Sequence, residues 1–202
     1  MKKICFLLCV FFLCSYPLTA LSKVPMNLGG FTLGKDINDY EGKLDFNTCR
    51  EIRYQEYLGE GVIKPTSGFK SGLITFGRCD NINKIVRIKL KFLNPTKKFY
   101  LVLLKKYKQM LGPPDEYKGD PFQSLIAWKW SFKDKDGHRV SLTLQHNLSD
   151  TNEKIGNAVK LVLMDQFERE RACYIKKHPH KMKPKTIKEL KGKKMWDMYI
   201  PY

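Results

Sequence analysis

The 202 residues carry 37 Lys and Arg against 20 Asp and Glu, a formal charge of +17, with 43% hydrophobic residues and 12% aromatics. That apolar content can bury a core, which excludes a wholly disordered chain, and the length suits one domain of ordinary size or two small halves sharing a sheet. No Cys-x-x-Cys, Gly-rich phosphate loop or His-Glu-x-x-His occurs, so no motif points to a metal, a nucleotide or any other cofactor.

The first element reads as a secretory signal peptide, residues 1–22. Met1-Lys2-Lys3 supplies a positive start, residues 4–13 are unbroken apolar, and Ser15, Tyr16 and Pro17 end the run before the roughly twenty residues a bilayer span needs. The small residues Ala20 and Ser22 place the cut before Lys23, with a cut after Ala20 as the alternative. Bulky Phe12 and Leu13 stand ahead of Cys14, where a lipid-bearing cysteine is preceded by small residues. The expectation is a released periplasmic or secreted protein with no transmembrane segment in the mature chain.

Along that chain, Asp36 caps a short helix with Ile37, Tyr40 and Leu44 on one face, weakened by Gly42. Strands are predicted at 51–63, 69–78 and 84–92. The last alternates strictly, Val86, Ile88, Leu90 and Phe92 against Arg87, Lys89 and Lys91. Asn94-Pro95 then starts a second helix with a stripe of Phe99, Leu103, Tyr107 and Met110, stopped by Gly112 and Pro113-Pro114. Three more strands follow at 125–132, 139–146 and 158–165, the first two joined by the turn Asp134-Lys135-Asp136-Gly137. A short helix over 166–177 precedes a basic, proline-containing tail, 178–202, expected to be disordered and ending in the aromatic segment 196–202. Short connections favour an antiparallel sheet. The predicted fold is therefore α+β: a two-layer sandwich with an antiparallel sheet of about six strands, built from two helix-strand-strand-strand halves, 23–93 and 94–177, with the helices on one face.

Three cysteines follow the signal: Cys49, Cys79 and Cys173. In an oxidising compartment they are disulfide candidates. Cys49 and Cys79 lie almost equally far from the turn at residues 64–68, which predicts a bridge between them and leaves Cys173 odd.

The run from Leu101 to Leu111 into Gly112-Pro113, then Asp120-Pro121-Phe122, then a tryptophan strand and a hairpin, resembles the helix-Leu-Gly-x-Pro-strand-strand-strand unit of the small outer-membrane assembly lipoproteins. The same unit, doubled, builds the secreted β-lactamase-inhibitor proteins. The resemblance covers about 70 residues, with the first half similar only in outline. It implies a non-catalytic scaffold or binding module of the cell envelope, and it carries over no individual functional residue.

Candidate chemistry is sparse. His146 follows Val140, Leu142 and Leu144 on an apolar face and reads as a packed strand-end histidine, while His138 reads as a solvated turn residue. Cys173, His178 and His180 offer metal-ligand atoms in no closed zinc spacing, and no metal site is assigned. Asp115, Glu116, Asp134 and Asp136 lie in turns, where acids are commonplace. Trp128 and Trp130 share a face with Ile126 and Phe132 and read as a core stripe. No catalytic residue is assigned, so a non-enzymatic protein is expected.

One surface feature stands out. If the apolar side of each strand faces the helices, Arg87, Lys89, Lys91, Lys129 and Arg139 share the other side with Ser131, Ser141, Thr143 and Gln145. Summed like charge on one face attracts a polyanion. Outside the inner membrane the anions at hand are lipid head groups, lipopolysaccharide, a cell-wall polymer or an acidic envelope protein, and export disfavours nucleic acid. The function expected is an exported, non-enzymatic envelope binding or scaffold module that meets an anionic partner through the basic sheet face and the basic tail, with an inhibitor or partner of a secreted enzyme as the alternative.

Overall fold

A computed structural model describes residues 24–148 and 156–179; the predicted signal peptide and all but the first two residues of the basic tail lie outside them. A small ribbon of β1 (Asn27–Leu28) and β2 (Phe31–Thr32) leads to one 3-10 turn at Ile37–Tyr40. There follow β3 (Leu44–Ile52), β4 (Gln55–Ile63), β5 (Phe69–Gly77), β6 (Ile85–Phe92), α1 (Lys97–Leu111), β7 (Glu116–Tyr117), β8 (Leu125–Lys133), β9 (Arg139–Asn147), β10 (Gly156–Leu163) and α2 (Met164–Lys177). All strands from β3 on form one antiparallel sheet of eight, in the order β3-β4-β5-β6-β10-β9-β8-β7. Two meanders thus meet along β6 and β10.

The molecule is mostly β with a few helices, and it departs from the expected six-strand sandwich at three places. Asp36 does cap, accepting from the Asn38 N–H at 3.0 Å, but only the single 3-10 turn follows and Leu44 already begins a strand. The predicted strand 51–63 holds a hairpin, because Tyr54 takes a left-handed backbone at φ 65° that side chains rarely adopt. With no Gly, Asn or Pro there, the turn carries no sequence signal. The two-residue β7 adds the eighth strand.

A further correction concerns the helices, which cover opposite faces. α1 lies over the larger core, where buried Tyr100 meets Ile74, Ile88, Leu90, Trp130, Leu142, Leu144, Val159 and Leu161. Trp128 and Phe132 pack at the margin of this core, as their strand alternation predicts, and the Trp130 indole donates to the Gly112 carbonyl at 2.9 Å. Leu111 packs here, whereas Met110 points to solvent. α2 instead packs across one end of the other face, on Tyr57, Leu58 and Val86 through Phe167 and Tyr174. The cause is a bulge: Thr75 pairs with Arg87 but Phe76 pairs with Ile85, so Val86 is an extra residue turned away from α1. Leu163 then runs straight into α2 with no intervening loop, which folds the helix onto that second patch.

The disulfide joins Cys79 to Cys173, and Cys49 is a free thiol, contrary to the predicted Cys49–Cys79 bridge. Cys49 belongs to β3, one strand further out than expected, and packs at the margin of the α1 core, while Cys79 lies beyond β5 against the α2 patch. The two thiols face opposite sides of the sheet.

Candidate functional site

The sheet face not covered by α1 carries the predicted basic residues, and strand register fixes their spacing. One row crosses the sheet as Leu73, Lys89, Lys160, Thr143, Lys129 and Glu116, each directly opposite the next. The row on one side runs Thr75, Arg87, Val162, Ser141, Ser131, and on the other Ser71, Lys91, Ala158, Gln145, Ala127. Adjacent strands lie about 4.8 Å apart. The long cations of β6 and β10 therefore stand along a strip whose floor, toward β9, is made of the small, buried side chains of Ala158, Ser141 and Thr143.

Lys160 is the centre of this arrangement and escaped the sequence reading. A lone lysine between core-facing Val159 and Leu161 has to project from the opposite face, and that parity was the available signal. Burial lowers the affinity of its amine for a proton, and Arg87, Lys89 and Lys129 lower it further by repulsion. Among the described residues neither Lys160 nor Lys89 forms an ion pair. Like charges set directly opposite each other across strands destabilise a sheet.

The other predicted cations are less available. The Arg87 guanidinium is largely buried, which lowers its pKa, and it donates through Nε to the Thr75 hydroxyl at 3.0 Å. Lys129 reaches Glu116 at 3.4 Å, and Glu116 also pairs with Lys118. Lys91 shares the face but makes contacts of its own. Arg139 does not join the strip: at the sheet end it is held by Asp165, Nε to Oδ1 at 2.7 Å, and by Glu168, both on α2. The site as folded is thus Lys89 and Lys160, flanked by Arg87, Lys91 and Lys129, with the Thr143 hydroxyl between Lys160 and Lys129.

The remaining candidates have structural partners. The Asp134 carboxylate closes its own turn, accepting from the N–H groups of Asp136 and His138 at 3.0 and 2.7 Å and meeting the His138 ring at 2.9 Å. Asp134, Asp136 and His138 could bring three ligand atoms to one point, but the bonds of the turn already occupy Asp134. A cleft between this turn and α2 is lined by Asp136, His138, Asp165, Glu168 and Arg169, and its two α2 acids already hold Arg139. Asp115 accepts from the Ser131 N–H. His146 is buried, its Nδ1 2.7 Å from the side-chain Oδ1 of Asn157 and its ring stacked on Tyr100. His180 lies outside the described residues.

No protein-family model matches the chain, and neither the curated proteins nor the solved structures contain a match to it.

Proposed function

We propose that this chain is an exported, non-enzymatic binding or scaffold module of the cell envelope that holds an anionic partner on the basic strip of its sheet. The observation that carries the reading is the direct cross-strand opposition of Lys89 and Lys160, with Arg87 and Lys129 adding charge and, among the described residues, no carboxylate on either central amine. Such a cluster works against the fold, and a bound anion relieves it. The strip is floored by small side chains and hydroxyls and spread over several strands, which suits an extended, multiply charged ligand.

Soluble polyphosphate is a suitable probe. The mature chain should bind it with an affinity that falls steeply with salt, and the triple reversal Lys89→Glu, Lys91→Glu, Lys129→Glu should abolish binding while leaving the circular-dichroism spectrum unchanged. Binding unaffected by both salt and reversal sinks the proposal.

A second reading, an inhibitor or partner of a secreted enzyme, has one observation in its favour. Phe122 is 90% exposed on a loop whose Asp120 carboxylate accepts from the N–H groups of Phe122 and Ser124, at 2.8 and 3.2 Å, and from that of Leu125. A rigid loop that offers an aromatic side chain loses little entropy on docking. This reading requires a stoichiometric protein complex that survives high salt and is lost in Phe122→Ala.

A further inference from the structure

α1 has a second surface that neither its packing nor the sheet strip explains. Its inner side is used: Tyr100 is buried, and Phe99, Leu103, Leu104, Tyr107 and Leu111 are wholly or partly covered. The outer side carries two parallel rows at i, i+4, i+8: Lys97, Leu101, Lys105 and Lys98, Val102, Lys106. At 1.5 Å rise per residue each row is about 12 Å long and runs along the helix axis. Leu101 and Val102 are 52% and 48% exposed, so half of each aliphatic side chain faces solvent inside a fence of four exposed lysines.

This pattern is held against the helix's own electrostatics. Exposed helix faces ordinarily alternate acid and base at i, i+4, yet α1 contains five lysines and no acid. Lys97 and Lys98 occupy the first turn, where the helix dipole disfavours cations. Among the described residues none of the four fence lysines pairs with a carboxylate. The charge is carried entirely by lysine, a flexible point charge, with no arginine fork for geometric recognition of one phosphate or carboxylate. Flexible ammonium groups around a shallow aliphatic ridge fit a plane of diffuse negative charge with an apolar layer just beneath it. Lysine stems can extend to the head groups while the ridge reaches the acyl boundary.

We propose that the outer face of α1 seats on a bilayer containing anionic phospholipid, with the helix axis in the membrane plane. The basic strip of the sheet then lies on the other side of the molecule and stays free for its own partner. The inference does not depend on the strip's function, and the two surfaces can be tested separately.

The test is co-sedimentation of the full mature chain with phosphatidylcholine vesicles, with and without phosphatidylglycerol. Wild type should bind only the anionic vesicles. The helix-compatible change of Lys97, Lys98, Lys105 and Lys106 to Gln should weaken binding by about 600-fold, at about fivefold per lysine. Leu101→Ser with Val102→Ser should retain binding at low salt and lose it at moderate salt, where wild type still binds. Both sets should still bind polyphosphate, which shows that they are folded and that the strip is intact. Equal binding to neutral and anionic vesicles overturns the proposal, as does a lysine variant that binds like wild type. It is equally overturned if Lys89→Glu with Lys160→Glu removes vesicle binding while the α1 variants keep it, because the strip is then the membrane contact.

Discussion

The carboxylate of Glu170 is buried, yet the chain supplies five donors to it: on Oε2 the backbone N–H groups of Arg78, Cys79 and Asp80, at 3.1, 2.7 and 3.0 Å, and on Oε1 that of Asn81 at 2.7 Å and the Gln166 amide at 2.9 Å. Gly77 is required beside it, since a Cβ there would lie 2.2 Å from Oε1. Glu170→Gln turns one acceptor into a donor facing other donors and should lower stability by about 3 kcal/mol in urea unfolding. A loss under about 0.5 kcal/mol contradicts that role. Nothing local in Glu168-Arg169-Glu170-Arg171 distinguishes this acid from a solvated helix charge, because its four backbone partners are some ninety residues away. Lys160 is the opposite case, visible in principle from the parity of a single strand. Arg139 was legible as a cation of that face but not as one that α2 would take, since its partners Asp165 and Glu168 come from a helix expected on the other face of the sheet.

At the scale of elements, periodicity carried the reading, period two through β6, β8 and β9 and 3.6 residues through α1. It failed where backbone geometry overrides pattern. Tyr54 makes a turn without a turn residue, and the Val86 bulge moves one apolar side chain to the far face and so provides a seat for α2. The same omission misplaced the disulfide: with β3 unrecognised, Cys49 seemed to face Cys79. The actual bridge ties α2 to the β5–β6 connection across a sequence separation of 94. In the chain-entropy model a loop of that length contributes about 4 to 5 kcal/mol. Cys173→Ser should therefore cost several kcal/mol and loosen α2 first, seen as faster amide exchange in residues 164–177 than in β6 and β10. Cys49→Ser should leave stability within about 1 kcal/mol, because only a partly buried thiol changes. If Cys49→Ser is the more damaging of the two, the pairing is wrong.

Over the whole molecule, charge is distributed to hold the fold at some places and strain it at others. The Asp165 carboxyl lies below its usual range because the Arg139 backbone N–H and guanidinium bind it; the Leu125 N–H does the same for Asp120, and the Asn38 N–H for Asp36. A depressed folded pKa means the charged form is favoured on folding. That stability is fully present above the ordinary aspartate value of about 3.9 and is lost as pH falls through the folded values. The urea midpoint should accordingly hold level from neutral pH to about 5 and decline below about 4; a level midpoint down to pH 2 contradicts these assignments. Lys160 has the reverse sign. Its folded pKa is also lowered, but for a base this means that the protonated form opposes folding, and stability should rise as its proton leaves at alkaline pH. Lys160 strains its own fold and stands at the centre of the basic strip, and replacing it separates the two roles. Lys160→Met keeps most of the side-chain volume and removes the charge. The most direct measurement is thermal unfolding and polyphosphate affinity on the same Lys160→Met preparation. The melting temperature should rise, reflecting up to about 1 kcal/mol of stability regained from relieved cross-strand repulsion, while affinity falls by about fivefold or more. A variant that melts lower than wild type, or that binds polyphosphate equally well, contradicts the claim that Lys160 is retained for an anion.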